Sequence, residues 1–483
     1  MKLRDASLFR ETNLVAGEWI TADTGAVMEV DNPSSLATIG TVPSCGEAET
    51  GRAIVAAEAC FATFRKTTAA HRAALLEKWH ALILEAQDDL ATLMTLEQGK
   101  PLSESKGEVA YAASFVKWFA EEGKRVYGET VPSPVQDRRI LVTKQPVGVC
   151  AIITPWNFPA AMITRKIAPA LAAGCPVVIK PSEFTPFTAL ALGVLAERAG
   201  FPKGAVNIVT GEAIPVGKAL TESNAVRKLS FTGSTRVGKL LMEQCAGTMK
   251  RLSLELGGNA PFIIFDDADL DLAVEGVMAS KYRNGGQTCV CANRIYVQSG
   301  VYDAFAEKLA ERVKAMTVGD GFKGVDIGPM INDAAIAKIQ SHLKDATAKG
   351  GTILVGGELT NAGQRFISPA IVTDATADML MAHEETFGPV APLFKFDTEN
   401  EAVSAANDTA FGLAAYFYTN DLTRSFRVSE ELEVGMIGLN VGGFATEVAP
   451  FGGIKESGLG REGAHQGIDE YLEVKSLHIG GIA

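Results

Sequence analysis

One cysteine in this sequence ends a glycine-rich segment, Gly286-Gln287-Thr288-Cys289. A cysteine attacks a carbonyl carbon as its thiolate, and it must be accessible to do so. A second segment, Leu254-Glu255-Leu256-Gly257-Gly258, places a carboxylate among small residues. A carboxylate that takes a proton from water can hydrolyse the thioester that such a cysteine forms. The pair predicts covalent catalysis, although taken alone it also fits a structural cysteine and a surface carboxylate.

The length and composition narrow the class of protein. With 483 residues, of which 47% are hydrophobic, the chain exceeds one ordinary core, and we expect two or three domains. The first residues carry no secretion signal, no apolar run is long enough to span a bilayer, and the seven cysteines have no framework spacing. These features predict a cytoplasmic protein. The formal net charge of −12 argues against nucleic acid and anionic membranes as partners.

The elements that must position the reactive residues follow from the apolar pattern. Residues 50–125 carry apolar residues at helical spacing. From about residue 145, short apolar runs alternate with helical segments, as in the βαβ units of a parallel sheet. The runs are 147–153, 176–179, 206–209 and 228–231. Ligands of such sheets bind at the carboxyl ends of the strands, so we predict an α/β fold with its site there.

The residues that follow two of these runs suit a dinucleotide. Gly233 and Ser234 precede a helix that begins near Thr235, where free backbone amides can face a pyrophosphate. Lys180 and Glu183 suit ribose hydroxyls, and the carboxylate would repel a 2′-phosphate. We therefore predict NAD as the cofactor, with NADP still possible.

Three further motifs are weaker. The segment 233–240 nearly matches a phosphate-binding loop, but Leu240 stands where a hydroxyl must reach magnesium. The segment 458–463 fits Gly-x-Gly-x-x-Gly, yet too few residues follow it for a βαβ unit. Cys289-Val290-Cys291 has no histidine nearby, so we predict no metal site.

Six segments resemble, in order and spacing, the aldehyde dehydrogenase superfamily. They are 155–159 (PWNFP), 180–183 (KPSE), 231–234 (FTGS), 255–258 (ELGG), 286–289 (GQTC) and 385–389 (ETFGP). The similarity covers essentially the whole chain. Within the superfamily, the segments 94–101, 151–166, 289–294 and 451–463 look most like bacterial succinate-semialdehyde dehydrogenases and their glutarate-semialdehyde relatives.

The resemblance implies a three-part fold. A Rossmann-like NAD-binding domain would comprise residues 1–124 and 145–255, and an α/β catalytic domain would comprise residues 256–450. A small β element made from residues 125–144 and 468–483 would support a homodimer or homotetramer. Residues 471–477 alternate as a half-exposed strand should, and pairing with another subunit would protect its edge.

The resemblance also implies a role for each site residue. Cys289 would be the nucleophile, Glu255 the base that activates water, and Asn157 a donor to the oxyanion. The cofactor-binding residues would be Ile153, Thr154, Pro155, Trp156, Lys180, Ser182, Glu183, Gly217, Phe231, Gly233, Ser234, Leu256, Glu385 and Phe387. The product would be a carboxylic acid. A CoA-acylating enzyme is disfavoured because Glu255 serves hydrolysis, and a non-catalytic protein on this fold is the alternative of another class.

Two arginines point to an anionic aldehyde. In the enzymes that this chain resembles, arginines at the places of Arg165 and Arg283 bind the distal carboxylate, which suits the arginine fork. A serine usually helps them, and the aligned residue here is Ala445, with Thr446 as a possible substitute. We predict succinate semialdehyde as substrate, with glutarate semialdehyde and sulfolactaldehyde as alternatives. The competing interpretation is that both arginines form structural salt bridges.

The neighbour of the nucleophile suggests regulation. Cys291 lies two residues after Cys289, and oxidation that joined the two thiols would remove the nucleophile. The ring that they would close is short and strained. A regulatory disulfide between Cys289 and Cys291 is therefore a hypothesis that the sequence suggests.

Overall fold

The computed structural model describes residues 2–482. Its helices are α1 (Glu47–Phe64), α2 (Ala69–Glu85), α3 (Gln87–Gln98), α4 (Leu102–Glu122), α5 (Ala161–Ala173), α6 (Pro186–Ala199), α7 (Ala213–Glu222), α8 (Thr235–Ala246), α9 (Leu270–Lys281), α10 (Tyr302–Lys314), α11 (Asp333–Ala348), α12 (Leu380–His383), α13 (Glu399–Asn407), α14 (Leu422–Glu431) and α15 (Gln466–Asp469). Its strands are β1 (Asn13–Val15), β2 (Glu18–Ile20), β3 (Val27–Asp31), β4 (Thr38–Pro43), β5 (Glu129–Val131), β6 (Arg139–Pro146), β7 (Val149–Ile153), β8 (Val177–Lys180), β9 (Val206–Ile208), β10 (Val226–Thr232), β11 (Arg251–Glu255), β12 (Ala260–Ile264), β13 (Ala292–Gln298), β14 (Thr352–Val355), β15 (Ala370–Ala375), β16 (Val390–Phe396), β17 (Phe411–Gly412), β18 (Ala414–Tyr418), β19 (Met436–Leu439), β20 (Ile454–Lys455), β21 (Gly458–Leu459) and β22 (Leu472–Ile479).

The first large sheet has the strand order β2-β1-β9-β8-β7-β10-β11-β21. Strands β9, β8, β7, β10 and β11 run parallel, whereas β1, β2 and β21 pair antiparallel at its ends. The chain order reverses at β7, because β8 and β9 lie on one side and β10 and β11 on the other. Such a reversal opens a crevice at the carboxyl ends of the two central strands, where ligands of α/β proteins bind. All four predicted apolar runs form strands of this sheet.

The second large sheet has the order β14-β15-β16-β13-β12-β18-β19 and is parallel except for β14. The residues of β12 are fully buried, as expected for a parallel strand covered on both faces. The catalytic cysteine predicted from the sequence lies just before β13. The predicted α/β class is confirmed by these two sheets, whereas the residue numbers of the domain boundaries remain a prediction.

A third, antiparallel sheet joins two distant parts of the chain. Strand β22 pairs with β6 over eight residue pairs, from Leu472 opposite Pro146 to Ile479 opposite Arg139. Strand β5 pairs with the other edge of β6, so β22 keeps an open edge. The predicted alternation of buried and exposed residues in β22 is wrong, because its residues from 473 to 478 are all exposed. Among the described residues of this strand, only Leu472 belongs to the apolar core of the chain.

The helical prediction for residues 50–125 is confirmed as four helices, α1 to α4. Polar side chains define several helix starts by accepting orphan backbone N–H groups. Thr68 caps α2, Ser234 caps α8, and Thr398 with Glu401 forms a capping box on α13. A large apolar cluster fixes α2 to α6 against the first sheet. Among the described residues, none of the helices combines the length and apolar character that crossing a bilayer requires.

Candidate active site

A cavity of about 260 Å³ opens at the carboxyl ends of β7 and β10. It is lined by Pro155, Trp156, Asn157, Thr232, Gly233, Ser234, Leu256, Gly257, Cys289, Lys338, Glu385 and Phe387. Nine of these were predicted from the sequence as catalytic or cofactor-binding residues. Residues that follow strands of the first sheet thus meet residues that precede β13 and β16 of the second. The crevice at the strand reversal is therefore the candidate active site.

The loop that carries Cys289 is held by tight backbone contacts. Gly286 has a φ of 76°, and a Cβ placed there would lie 2.2 Å from the Gly388 carbonyl oxygen. Only glycine fits such an approach. Gln287 locks the loop further, since its side chain donates to the Asn284 carbonyl and accepts from the Ile331 N–H. The glycine-rich segment therefore positions the cysteine through backbone packing.

The Cys289 side chain is half-buried in the cavity. Burial raises the pKa of its thiol to about 12, while the nearby Arg165 guanidinium opposes that shift. The thiolate is the nucleophilic form, so a positive charge close to the sulfur favours reaction. The resting thiol is protonated and depends on its surroundings for activation.

Glu255 ends β11 and is 3% exposed. Its Oε2 has no hydrogen-bond partner among the described residues. Gly452, at a φ of 155°, brings its backbone so close that a Cβ there would lie 2.9 Å from Glu255 Oε1. Burial, and after it the charge of Glu462, raises the pKa of Glu255 well above the ordinary carboxyl value. A carboxylate with a raised pKa and a free oxygen is suited to accept a proton near neutral pH.

Asn157 is held through its side-chain nitrogen and through its backbone carbonyl. Its side-chain Nδ2 donates to the Gln287 carbonyl at 3.1 Å, which leaves the second N–H of the amide for another acceptor. Its backbone carbonyl accepts from Asn284 Nδ2 at 3.0 Å and from Lys100 Nζ at 2.6 Å. Lys100 in turn donates to Glu108 at 2.5 Å, and both side chains are buried. The amide is therefore fixed beside the nucleophile's loop.

The cavity residues around this pair fit a dinucleotide. The buried hydroxyls of Thr154 and Thr232 have no hydrogen-bond partner within residues 2–482, so each can bond a ligand. A side chain at Gly233 would strike the Phe231 ring, because its Cβ would lie 2.3 Å from Cζ. Ser234 is the N-cap of α8 and accepts from the Val237 N–H, and the free N–H groups of a helix's first turn suit an anion. These are features of a phosphate cradle.

The far side of the cavity carries an aromatic pair and a carboxyl group. The rings of Trp156 and Phe387 pack edge to face with centroids 5.5 Å apart. Phe387 has a φ of 54°, which strains a residue of this size and orients its ring. Burial raises the pKa of Glu385 to about 8. A neutral or weakly charged carboxyl group here can bond ribose hydroxyls.

The other predicted cofactor residues lie outside this lining. Lys180 ends β8 and its Nζ lies 3.0 Å from Glu183 Oε2, whose side chain is 46% exposed. Ser182 accepts from the Phe184 N–H at 3.3 Å. Gly217 lies in α7, where an added Cβ would meet nothing within 4 Å. Ile153 and Phe231, both predicted as well, belong to β7 and β10, and Phe231 is buried.

The two substrate arginines have different environments. Arg165 is 2% exposed and its Nε donates to Glu462 at 2.6 Å. Its guanidinium lies 4.0 Å from the Phe451 ring. Lys166 binds the other oxygen of Glu462. The structural salt bridge that the sequence left open therefore exists for Arg165, although its Nη2 lacks a well-aligned hydrogen bond within the described residues.

Arg283 is exposed on the catalytic loop. Within residues 2–482 it forms no ion pair, and its guanidinium lies 4.9 Å from the Phe158 ring. Ala445 lies with Thr446 and Phe451 in a separate depression of about 190 Å³. Phe451 touches Arg165, so this depression borders the buried arginine. The structure does not place Ala445 in the cavity that holds Cys289.

Sequence reasoning missed several residues of the site. Lys338 lines the cavity and lies outside every segment quoted from the sequence, whereas Thr232 and Gly257 lie in the segments 231–234 and 255–258 but were assigned no role. Glu462 lies in the Gly-x-Gly-x-x-Gly segment, for which no nucleotide role was predicted, and it binds Arg165 from 297 residues away. The positions of Thr232 at the end of β10 and of Gly257 just after β11 could have been predicted from those segments.

Cys291 is 5% exposed. Its Sγ lies 3.5 Å from the Lys281 carbonyl oxygen and 3.7 Å from the Ala292 carbonyl oxygen. The disulfide between Cys291 and Cys289 stays a prediction.

Comparison with known proteins identifies the class. Residues 19–477 match the model described as the aldehyde dehydrogenase family, and the chain belongs to that family. It is 58% identical to the succinate-semialdehyde dehydrogenase [NADP(+)] GabD of Escherichia coli (strain K12), over 99% of this chain and 100% of the relative. It is 58% identical to a glutarate-semialdehyde dehydrogenase of Pseudomonas putida (strain KT2440), over 99% and 100%.

Two further proteins have nearly the same sequence identity to this chain. A 3-sulfolactaldehyde dehydrogenase of Pseudomonas putida is 56% identical over 100% of this chain and 99% of the relative. The crystal structure of succinate-semialdehyde dehydrogenase from Burkholderia pseudomallei has a TM-score of 0.99 and 57% identity, covering 99% of this chain and 100% of that chain. The predicted family and the aldehyde dehydrogenase fold are confirmed, and the chain is an enzyme.

Proposed function

We propose that this enzyme oxidises a small aldehyde with a distal anion, foremost succinate semialdehyde to succinate, with a nicotinamide dinucleotide. The observation that carries the proposal is the single cavity lined by Cys289, Asn157 and the dinucleotide-type residues around Ser234. Glutarate semialdehyde and 3-sulfolactaldehyde are the alternative substrates, because relatives named for them are nearly as similar to this chain.

The residues of the site support covalent catalysis. Cys289 Sγ attacks the aldehyde carbon, and the free N–H of the Asn157 amide donates to the resulting oxyanion. The bound dinucleotide supplies a hydride acceptor, after which a thioester remains on Cys289. Glu255 takes a proton from the water that attacks this thioester, and the carboxylic acid leaves. Its raised pKa suits the base to this step.

The proposed choice of NAD over NADP depends on Glu183. Its carboxylate lies beside Lys180 at the end of β8, where it would accept from ribose hydroxyls and repel a 2′-phosphate. Half of the Glu183 side chain is exposed, so a bound ribose can reach it. We propose NAD as the better cofactor, although the Escherichia coli relative is named for NADP(+).

The proposal that the substrate is an anion depends on Arg283 and Arg165. Arg283 is an exposed guanidinium with no ion pair among the described residues, six positions before the nucleophile. Arg165 is buried and paired with Glu462, which also binds Lys166, so these two cations exceed the single carboxylate in formal charge. In a chain of net charge −12, two such cations supply the local attraction that an anionic aldehyde requires.

A substrate panel tests the proposal. We would measure kcat/KM with NAD and with NADP for succinate semialdehyde, glutarate semialdehyde, 3-sulfolactaldehyde and neutral butyraldehyde. We expect a preference of about tenfold or more, about 1.4 kcal/mol, for one anionic aldehyde over butyraldehyde. Arg283→Gln should remove most of that preference, whereas Arg227→Gln, at the far end of β10, should not. A flat profile in the unaltered enzyme would contradict the anionic substrate, and absence of any oxidation would favour a non-catalytic role.

A further inference from the structure

The hydroxyl group of Tyr111 is buried and lacks a partner. Tyr111 lies in α4 with its ring half-buried, and its hydroxyl forms no hydrogen bond with any of residues 2–482. A buried hydroxyl without a partner destabilises the protein, because its desolvation is not compensated by a hydrogen bond. Native structures tolerate few such groups, and those at a site commonly bind a ligand. The sequence motifs assign no role to this residue.

The helix face that carries Tyr111 contacts the active site on both sides of it. Residues 104, 108, 111 and 115 follow helical spacing and share one face of α4. Glu104 accepts from the N–H of Asn284, the residue next to Arg283, at 2.9 Å. On the other side, the Phe115 ring lies 4.9 Å from the Tyr111 ring and 5.9 Å from the Arg165 guanidinium. Tyr111 therefore lies between the two arginines.

The charges near the phenol agree with that placement. Burial raises the pKa of Tyr111, and the largest charges that oppose the shift are those of Arg165 and Arg283. A phenol with a raised pKa keeps its proton at neutral pH and is available as a donor.

The neighbouring substrate loop offers no comparable donor. Ala445 has no hydroxyl, and the Thr446 hydroxyl donates to the Glu447 carboxylate at 3.2 Å. Glu447 is itself an anion and cannot bind another. A hydroxyl for the distal anion must therefore come from another element, and α4 carries one.

We propose that the Tyr111 hydroxyl donates a hydrogen bond to the distal anion of the substrate, between Arg165 and Arg283. The inference rests on the proposed function, since it requires an aldehyde with a distal carboxylate or sulfonate. Tyr111 is then a specificity-determining residue that touches the substrate and takes no part in bond making. Its hydrogen bond raises kcat/KM for anionic aldehydes and not for neutral ones.

Tyr111→Phe tests this role because it removes only the oxygen atom. We expect kcat/KM for succinate semialdehyde to fall about tenfold, with less than a twofold change for butyraldehyde. A second measurement, independent of turnover, is calorimetric binding of succinate to the enzyme, whose Kd should rise about tenfold while the Kd of NAD stays unchanged. Tyr418→Phe is the matched control, since the Tyr418 hydroxyl is also buried without a partner but belongs to β18.

The outcomes separate this inference from the function on which it rests. A preference of the unaltered enzyme for succinate semialdehyde that survives Tyr111→Phe would overturn the role of Tyr111 and leave the proposed function standing. Equal losses for the charged and the neutral aldehyde would also overturn it, because they would indicate a structural role. If the unaltered enzyme shows no preference for anions, both fail together.

Discussion

At the scale of single residues, burial and a nearby positive charge have opposite effects on the ionisation of Cys289 and Glu255. Burial disfavours the Cys289 thiolate and the ionised form of Glu255, and it raises the pKa of both. Arg165 opposes both shifts. The Cys289 thiol and the buried Glu255 carboxyl group thus both feel the charge of Arg165, and in a buried environment small changes of charge alter their ionisation.

The pH dependence of hydrolysis follows from the pKa of Glu255. Only the ionised carboxylate accepts a proton, and its pKa lies well above the ordinary carboxyl value, so the rate of thioester hydrolysis should still rise with pH above the range in which an ordinary carboxyl group ionises. Glu255→Gln should flatten this rise and slow hydrolysis at least about a hundredfold. Stopped-flow measurement of the NADH burst and of the later steady state separates the two steps. A glutamine variant with full steady-state turnover would show that another group is the base.

The sequence predicts residues of this kind when a short motif carries them. Cys289, Glu255 and Asn157 each stand in a segment whose neighbours are also distinctive. Lys100 and Glu462 also lie in distinctive segments, 94–101 and 451–463, but no role was predicted for them because their partners lie 57 and 297 positions away along the chain. Such pairings arise from the packing of whole elements and cannot be derived from one sequence.

At the scale of elements, α4 supports the site along its length. Glu104 binds the catalytic loop, and Glu108 accepts from the Ala160 N–H at the start of α5 while it pairs with Lys100.

The order of the strands in the first sheet was predicted only as far as its parallel βαβ pattern. The return of β21 to its edge was not, since two residues are too few to give a periodic signal.

Glu108→Gln tests whether this ion pair positions Asn157. Loss of one partner of a buried pair costs about 3–5 kcal/mol, so the free energy of unfolding should fall by that order. Because Lys100 holds the Asn157 carbonyl, the rate of the NADH burst should also fall, while the Kd of NAD stays within about twofold.

Glu121→Gln is the control on the same helix. Its exposed pairs with Lys117 and Lys124 are worth about 1 kcal/mol or less, so both quantities should change little. An unchanged burst rate in a destabilised Glu108 variant would mean that the pair stabilises the fold without positioning the amide.

At the scale of the whole molecule, the open edge of β22 favours pairing with another subunit. Its exposed residues include Val474 at 69% and Leu477 at 50% exposure, an unusual surface for a strand with unpaired backbone groups. We therefore predict a homodimer or homotetramer. The sequence predicted the strand but not its exposure on both faces, because alternation presumes a core that one chain alone does not provide.

Light scattering at micromolar concentration tests this prediction. The unaltered protein should have the mass of two or four chains, and a variant with lysine at both Val474 and Leu477 should shift toward the monomer. The far-ultraviolet circular dichroism of the variant should remain, because neither side chain is part of a core. A monomeric mass for the unaltered protein would contradict the assembly.

The most direct test of the whole account is to trap the acyl group. Glu255→Gln is mixed with NAD and succinate semialdehyde, digested under acidic conditions and mapped by mass spectrometry. The account predicts one equivalent of NADH per site and a succinyl group on the peptide that contains Cys289, with the other six cysteines unmodified. NADH formation without an acyl group on Cys289, or with the group on another residue, would contradict the covalent mechanism.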